Sequence, residues 1–381
     1  MNTFNNASIS VRQFTILIIL GVIGDSILIM PTILAASSKQ DAWLSMLFAI
    51  LLGFVAAGIF AGIANKLRRR RLFNLLRLNL GVWIGSVIIV LFLFEFYMCS
   101  LTLLSEMSQF MTTQLMPETP INAIIAVFIL VIIIAYRYGV EAFARMGELL
   151  FPVFMLLFLV LFVLLLPQVE FSNLKPIAAE GMGVIGRGAM LAFVTAFTEM
   201  IVLLMLVSNV IGSTSLTKPI FIGYAIGGAI LFIIVILCVL VLGPNLMETK
   251  YYPTFVLAQK ITIGHFLERL EAVMAFLWFI SVFYKTLLLF FSLTSGLAEL
   301  FQLKESHMLT IPVGMLLLVG TVVGTPNITE YNAILESYYV YFDITFCVVI
   351  PTLVLILFYI FDLRDKRKKG SSNDTELLTE S

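Results

Sequence analysis

The stretch Gly188 to Val210, GAMLAFVTAFTEMIVLLMLVSNV, is apolar over about twenty residues, the length a helix needs to cross a bilayer. Glu199 sits near its middle. A carboxylate at that depth costs roughly 3 kcal/mol on insertion scales, so a lone intramembrane charge marks a functional site by default. Thr195 lies one turn before it and Thr198 beside it, which crowds two hydroxyls and a carboxylate into one short segment. Gly181, Gly183, Gly186 and Gly188 loosen the approach. The pattern predicts the broken, ligand-facing helix of a transporter fold. A glutamate paired inside a helix bundle for structural reasons alone fits the same residue equally well.

The rest of the chain keeps this character. Of its 381 residues 61% are hydrophobic and the mean hydropathy is +1.07, against about 45–50% apolar residues in ordinary soluble proteins. The composition predicts an all-α, polytopic membrane protein. There are 23 basic and 23 acidic residues, so no basic field points to a nucleic-acid partner. Cys99, Cys238 and Cys347 fall in apolar runs, away from the loops where disulfides form. His265 and His307 have no metal-ligand partner at useful spacing, and no cofactor is expected. The first apolar run carries Asp25 and Pro31 and is too long for a secretory signal, so it is expected to stay as a span.

Apolar runs place ten spans, roughly 12–36, 42–65, 84–112, 120–136, 147–167, 187–210, 219–243, 270–302, 308–325 and 338–362. Lys and Arg gather on one side of them. Arg12, Lys66, the run Arg68 to Arg71, Arg77, Arg137, Arg145, Lys218, Lys304 and the tail from Arg364 to Lys369 put both termini in the cytoplasm. The arginine run reads as a topology anchor. The polar interval Gln168 to Gly186 divides the spans five and five. An odd number per half makes the second half enter from the opposite side, so any repeat is inverted. The expected organisation is a transmembrane domain over 1–363, with repeats at about 11–167 and 187–362, then a cytoplasmic tail over 364–381.

The halves echo each other. Span 1 is interrupted by Gly21, Gly24 and Pro31, with Asp25 and Ser26 between, and span 6 holds the Glu199 segment. Interrupted helices at matching positions point to a midplane binding site. Small-residue packing between helices is the plain alternative for the glycines. In span 3, Glu95, Cys99, Thr102 and Glu106 fall on one helical face, flanked by Tyr97 and Ser105. Span 8 carries a second stripe of Ser281, Lys285, Ser292, Ser295 and Glu299, with Tyr284 adjacent. Lys285, near that span's middle, needs a partner, and Glu199, Glu95 or Asp25 would serve. A register-fixing ion pair is the structural alternative. Between spans 7 and 8, the segment Pro244 to Arg269 predicts a short interfacial helix around Phe255 to Leu267, a lid or a plain connector.

Two stretches carry a likeness. The segment RYGVEAFARMGELLFP, Arg137 to Pro152, resembles the cytoplasmic loop and fifth-span start of the endospore germination permease family, the B subunits of nutrient germinant receptors. Ile9, Ser10 and Gln13, then Gly24, Leu28 and Pro31, then Asp41, Ala42 and Trp43 look like its first span and second-span start. The AFTEM segment, Ala196 to Met200, is similar to its sixth-span motif, without the proline expected a turn later. That absence leaves the local bend open. The resemblance implies an amino-acid–polyamine–organocation fold of five-plus-five inverted repeats, in the inner membrane of a spore. It implies two partners, an A subunit with a membrane domain and a lipoprotein C subunit. The implied role is to bind a small nutrient germinant, commonly an amino acid, and trigger germination; transport is not implied.

Together these readings predict a nutrient at mid-membrane between spans 1 and 6, walled by spans 3 and 8. Amides freed near Gly21 to Ser26 would meet its carboxylate, since helix N-termini favour anions. Thr195, Thr198 and Glu199 would meet a hydroxyl or ammonium. By analogy, Lys285 would stand where related transporters hold a coupling cation. One rival is a proton-coupled amino-acid permease, with a desolvated Glu95 or Glu199 carrying the proton. Another is an intramembrane aspartyl protease using Asp25 and Asp343, with Asp343 read as near an outer boundary. No nucleophile–base pair supports another enzyme class.

Overall fold

Ser10 starts the first helix by a reciprocal cap. Its hydroxyl accepts from the Gln13 amide at 3.2 Å, and the Gln13 side chain accepts from the Ser10 amide at 3.0 Å. In the computed structural model, which describes residues 8–67, 70–178, 181–212, 215–261, 270–303, 305–324 and 339–361, α1 then runs Val11–Ile23. It stops at Gly24, whose φ of +33° disfavours any residue with a Cβ. The span resumes as α2 (Ser26–Ser38). The predicted interruption is present.

The remaining helices are α3 (Ala42–Leu67), α4 (Leu72–Phe110), α5 (Ile121–Tyr138), α6 (Val140–Leu165), α7 (Met182–Phe193), α8 (Thr217–Thr249), α9 (Pro253–Gln259), α10 (Glu271–Leu300), α11 (Thr310–Gly324) and α12 (Val340–Phe361). Nine helical stretches among the described residues are long and apolar enough to cross a membrane. The first, Val11–Leu67, has 57 residues, about 85 Å if straight and far more than one bilayer. It doubles back at Lys39–Asp41, since α8 packs against α1, α2 and α3 alike. Positive-φ glycines break two long helices, Gly81 (φ 82°) in α4 and Gly243 (φ 73°) in α8, close to the predicted ends of spans 3 and 7.

Span 6 bends without the proline. After α7 the backbone widens to a π-turn over Val194–Thr198 and tightens to 3-10 turns over Glu199–Met205 and Val207–Asn209. It ends in β2 (Val210–Ile211), which pairs in parallel with β1 (Ile9–Ser10). The start of span 1 and the end of span 6 therefore share one side of the bundle, and the two spans run in opposite directions.

The stretches that carry the family likeness touch each other. Glu148 meets Arg12 at 3.3 Å and accepts from the Gln13 amide nitrogen at 3.0 Å, while Glu141 accepts from the Ser8 amide at 2.8 Å. Asp41 accepts from the Ala178 amide at 2.9 Å, tying the first turn to the loop between the halves. Arg71 of the predicted anchor pairs with Glu299 at 3.1 Å, and Arg77 donates to the Glu299 and Leu300 carbonyls at 3.2 and 2.9 Å. Both cations sit at the α10 C-terminus, where free carbonyls favour positive charge. Arg68, Arg69 and the expected tail lie outside the described residues.

One expectation changes. α9 is not an interfacial helix but a buried plug: Pro253, Thr254, Phe255, Leu257 and Ala258 are all buried. Tyr252 and Phe255 stack edge-on against Phe110, and the Thr254 hydroxyl donates to the Leu28 carbonyl at 3.4 Å. The apolar face read as lipid-facing is covered by α2, α8 and α10. The part of that stretch from 262 onward lies outside the described residues.

Close helix contact depends on small residues. A Cβ at Gly223 of α8 would lie 2.7 Å from Ile18 Cβ, whereas one at Gly183 meets nothing within 4 Å. Gly223→Val is expected to destabilise the purified protein by about 1–3 kcal/mol. Gly183→Val should unfold at the parent temperature when both are followed by thermal denaturation in detergent.

Candidate functional site

Lys285 lies at the middle of α10 with its stem across Gly24, where a Cβ would meet the lysine side chain. Its ammonium stands 2.5 Å from Asp25 Oδ1 and 2.6 Å from Glu199 Oε2, and donates to the Thr195 carbonyl at 3.4 Å. Asp25, Glu199 and Lys285 are 3%, 3% and 1% exposed, so all three charges sit out of water. In hydrocarbon each alone would cost several kcal/mol; together they neutralise most of that cost. The sequence left three partners open for Lys285. The fold supplies two, one from each broken helix.

The breaks themselves are held by side chains. The Ser281 hydroxyl donates to the Gly24 carbonyl at 2.6 Å, and Ser292 donates to the Val202 carbonyl in the tightened part of span 6 at 3.2 Å. The Thr195 and Thr198 hydroxyls donate to the carbonyls of Leu191 and Val194 at 2.9 and 2.7 Å, which leaves each able to accept from an incoming donor. Tyr224 donates to the Phe197 carbonyl at 2.9 Å. Ser26 Oγ is buried with no hydrogen-bond partner among the described residues, at the first turn of α2, where the Leu28 and Ile29 amides donate to the Asp25 carbonyl at 3.0 and 3.4 Å.

A second polar group adjoins the first. Tyr339 donates to Glu199 Oε1. One turn further along α12 comes Asp343, and one turn beyond it Cys347. The Cys347 and Cys99 thiols each donate to Glu95 Oε1 at 3.1 Å. Glu95 thus belongs to α4 and α12, not to Lys285.

Several predicted residues stand elsewhere. Gly21 packs against span 6, where its Cβ would lie 2.9 Å from Met200 Sδ, so close helix contact accounts for it. Tyr97 turns to α11, with its ring 3.1 Å from a Cβ built at Gly320. Thr102 donates to the Cys99 carbonyl at 2.9 Å within its own helix. Tyr284 turns to α6, donating to the Phe143 carbonyl at 3.3 Å. Ser295 and Glu299 serve the far end of α10, beside Tyr136 and Arg71.

Tyr339, Asp343 and Cys347 were not among the predicted site residues. The sequence places Asp343 near the end of its span; in the fold it is fully buried beside Glu95, and Asp25 is committed to Lys285. The two aspartates therefore face different partners, Lys285 and Glu95, rather than each other as an aspartyl dyad requires. The i, i+4 spacing of Asp343 and Cys347 was the available signal. A separate shallow cleft, with room for little more than a water molecule, is lined by apolar side chains such as Phe158, Leu161, Ile234 and Met274. It holds no charge, so it offers a polar nutrient little to bind.

Known proteins share this architecture. The family profile described as "Spore germination protein" matches residues 8–329. Spore germination protein KB of Bacillus subtilis (strain 168) is 27% identical over 376 residues, covering 97% of this chain and 98% of its own. Spore germination protein YndE of the same organism is 24% identical over 300 residues, covering 78% of this chain and 82% of its own. Among solved structures, Mhp1, a nucleobase-cation-symport-1 family transporter in a closed conformation with bromovinylhydantoin bound, superposes with a TM-score of 0.65 at 12% identity. That match covers 87% of this chain and 75% of Mhp1. A Na+-coupled sialic acid symporter in a substrate-bound outward-open state gives 0.63 at 10% identity, covering 93% and 91%. These likenesses establish the helical transporter fold expected from the sequence.

The ion cluster makes a sharp stability prediction. Lys285→Met leaves two buried carboxylates without their cation and should cost about 3–5 kcal/mol. Adding Asp25→Asn and Glu199→Gln to it should recover most of that loss, as read by thermal denaturation of the purified variants.

Proposed function

The chain belongs to the spore germination protein family, and from that membership and the buried ion cluster we propose that it is the membrane subunit of a nutrient germinant receptor. It binds a small amino acid at mid-membrane and signals to partner subunits. The carrying observation is that Lys285 bridges Asp25 and Glu199 at the breaks of spans 1 and 6. An amino acid is a zwitterion, so it enters such a cluster without changing its net charge. Its carboxylate is suited to Lys285, Ser26 Oγ and the first amides of α2. Its ammonium is suited to Glu199 and to the acceptor lone pairs of Thr195 and Thr198.

The exchange would replace the Lys285–Glu199 contact by two contacts to ligand. That contact joins α10 and span 1 to span 6, so a ligand that replaces it favours one arrangement of the two over another, the differential affinity that signalling requires. The antiparallel course of spans 1 and 6 supports reading 11–167 and 187–362 as inverted repeats of five spans. The family supports placement in the spore inner membrane, with an A subunit and a lipoprotein C subunit as partners. The lysine and arginine bias supports cytoplasmic termini.

The transporter fold and the extra buried acids at Glu95 and Asp343 favour a second reading, a proton-coupled amino-acid permease. Both readings meet the same first test. A panel of amino acids is screened for thermal stabilisation of the purified chain, with the best ligand at 100 times its Kd expected to add about 2.7 kcal/mol. Glu199→Gln, Thr198→Val and Ser26→Ala should each weaken that response. Unchanged responses in all three would refute the assigned site. In proteoliposomes, uptake of the labelled ligand driven by a pH gradient would select the permease; binding with no flux selects the receptor.

A further inference from the structure

The cluster of acids and thiols between α4 and α12 lies beyond the groups that the proposed nutrient would touch. Glu95 and Asp343 are both 0% exposed there, and Cys99 and Cys347 follow them by one turn each. Four donors therefore come from two facing helices at i, i+4 spacing. The donor atoms of Glu95, Cys99 and Asp343 lie within 4.8 Å of one another, and both thiols stand 3.1 Å from the same Glu95 oxygen. Glu95 Oε2 and both oxygens of Asp343 have no well-placed donor among the described residues: the two carboxyls face each other, and the nearby Tyr339 hydroxyl is given to Glu199. Lys285 acts on Asp343, but it is already held by Asp25 and Glu199. Buried acceptors without donors call for a cation or a proton.

The donor chemistry separates the choices. A proton shared between the two carboxyls would satisfy the Glu95–Asp343 contact and still leave the other Asp343 oxygen without a donor. Hard cations such as calcium take about six to eight oxygen ligands, more than two carboxylates supply. Two sulfurs and two carboxylates match a tetrahedral, thiophilic ion. With bonds of about 2.0–2.3 Å, its ligand atoms would stand about 3.5 Å apart. Glu95, Cys99 and Asp343, within 4.8 Å of one another, need to close by about 1.3 Å at most, and Cys347, which reaches only Glu95 at 3.1 Å, needs a turn about its own χ1 to join them.

We propose that Glu95, Cys99, Asp343 and Cys347 form a binding site for one thiophilic divalent metal ion of the zinc class, separate from the nutrient site. On binding, each S–H bond to Glu95 gives way to a metal–sulfur bond, and the thiol protons leave to solvent. Tyr339 precedes Asp343 by one turn and donates to Glu199, so an occupied site would brace the edge of the ion cluster.

The test uses the full chain in nanodiscs, with Cys238, which lies apart beside Thr254, replaced by alanine. Titrated Co2+ should bind at one equivalent with a sulfur-to-cobalt charge-transfer band, and Zn2+ but not Mg2+ should displace it. Asp343→Asn and Cys347→Ser should each weaken Co2+ binding by more than about tenfold. X-ray absorption of the unmutated chain loaded with zinc should show sulfur neighbours at about 2.3 Å, a readout independent of whether the variants fold. Cobalt binding without the charge-transfer band, zinc with only oxygen or nitrogen neighbours, or unchanged affinity in Asp343→Asn would overturn the proposal. None of these readouts depends on nutrient binding, so failure here leaves the receptor reading intact.

Discussion

A single ammonium held by two carboxylates in the middle of the bundle is the constraint on which the rest depends. Asp25, Glu199 and Lys285 come from three separate helical segments, and none is tolerable at that depth without the others. Their meeting requires both span 1 and span 6 to break. Gly24 supplies a backbone that a Cβ would forbid and the room for the lysine stem. Span 6 achieves the same end differently, by widening and then tightening its turns, so no proline is needed. Ser281 and Ser292, on the same face of α10 as Lys285, accept the task of bonding the carbonyls that these breaks release.

That arrangement is better understood as specification than as stabilisation. Apolar residues of the same volume would pack at least as favourably, because desolvating three charges offsets most of their attraction. What the charges add is a unique register of span 1, span 6 and α10, together with a polar midplane in an otherwise hydrocarbon interior. A bundle with such a centre can exchange internal ion pairs for ligand contacts. A wholly apolar one has nothing to exchange.

The stretches that carry the family likeness mostly do a different job. Glu141 and Glu148 hold the N-terminal segment, Asp41 ties the first turn to the connection between halves, and Gly147 lets α6 approach Tyr284. They fix where span 1 begins and ends relative to its neighbours. The position of Gly24 and Asp25 against Lys285 follows from that framing, which is how motifs at the membrane surface bear on chemistry at its centre.

How much could be read in advance depended on the range of the interaction. Span positions were legible because a bilayer imposes about twenty apolar residues per helix, a purely local rule. The breaks at Gly24 and after Val194 were legible because glycines and charges interrupt an apolar run visibly. Glu199, Asp25 and Lys285 stood out for the same reason, since a charge in hydrocarbon is conspicuous without knowing its partner. Which partner each has was not legible, because pairing is set by how helices distant in the chain rotate against one another. Tyr97, Thr102 and Tyr284 share stripes with site residues yet turn to α11, to their own backbone and to α6, since a stripe wider than one contact faces several neighbours. Asp343 looked peripheral because a residue's depth near a span end is decided by the helix tilt and by the helices that cover it. The sequence by itself determined a helical membrane bundle with charges at its centre; the tertiary structure alone decided that these charges form one clamp with a thiol–carboxylate cluster beside it, because side-chain contact across helices is a property of packing and has no local signature.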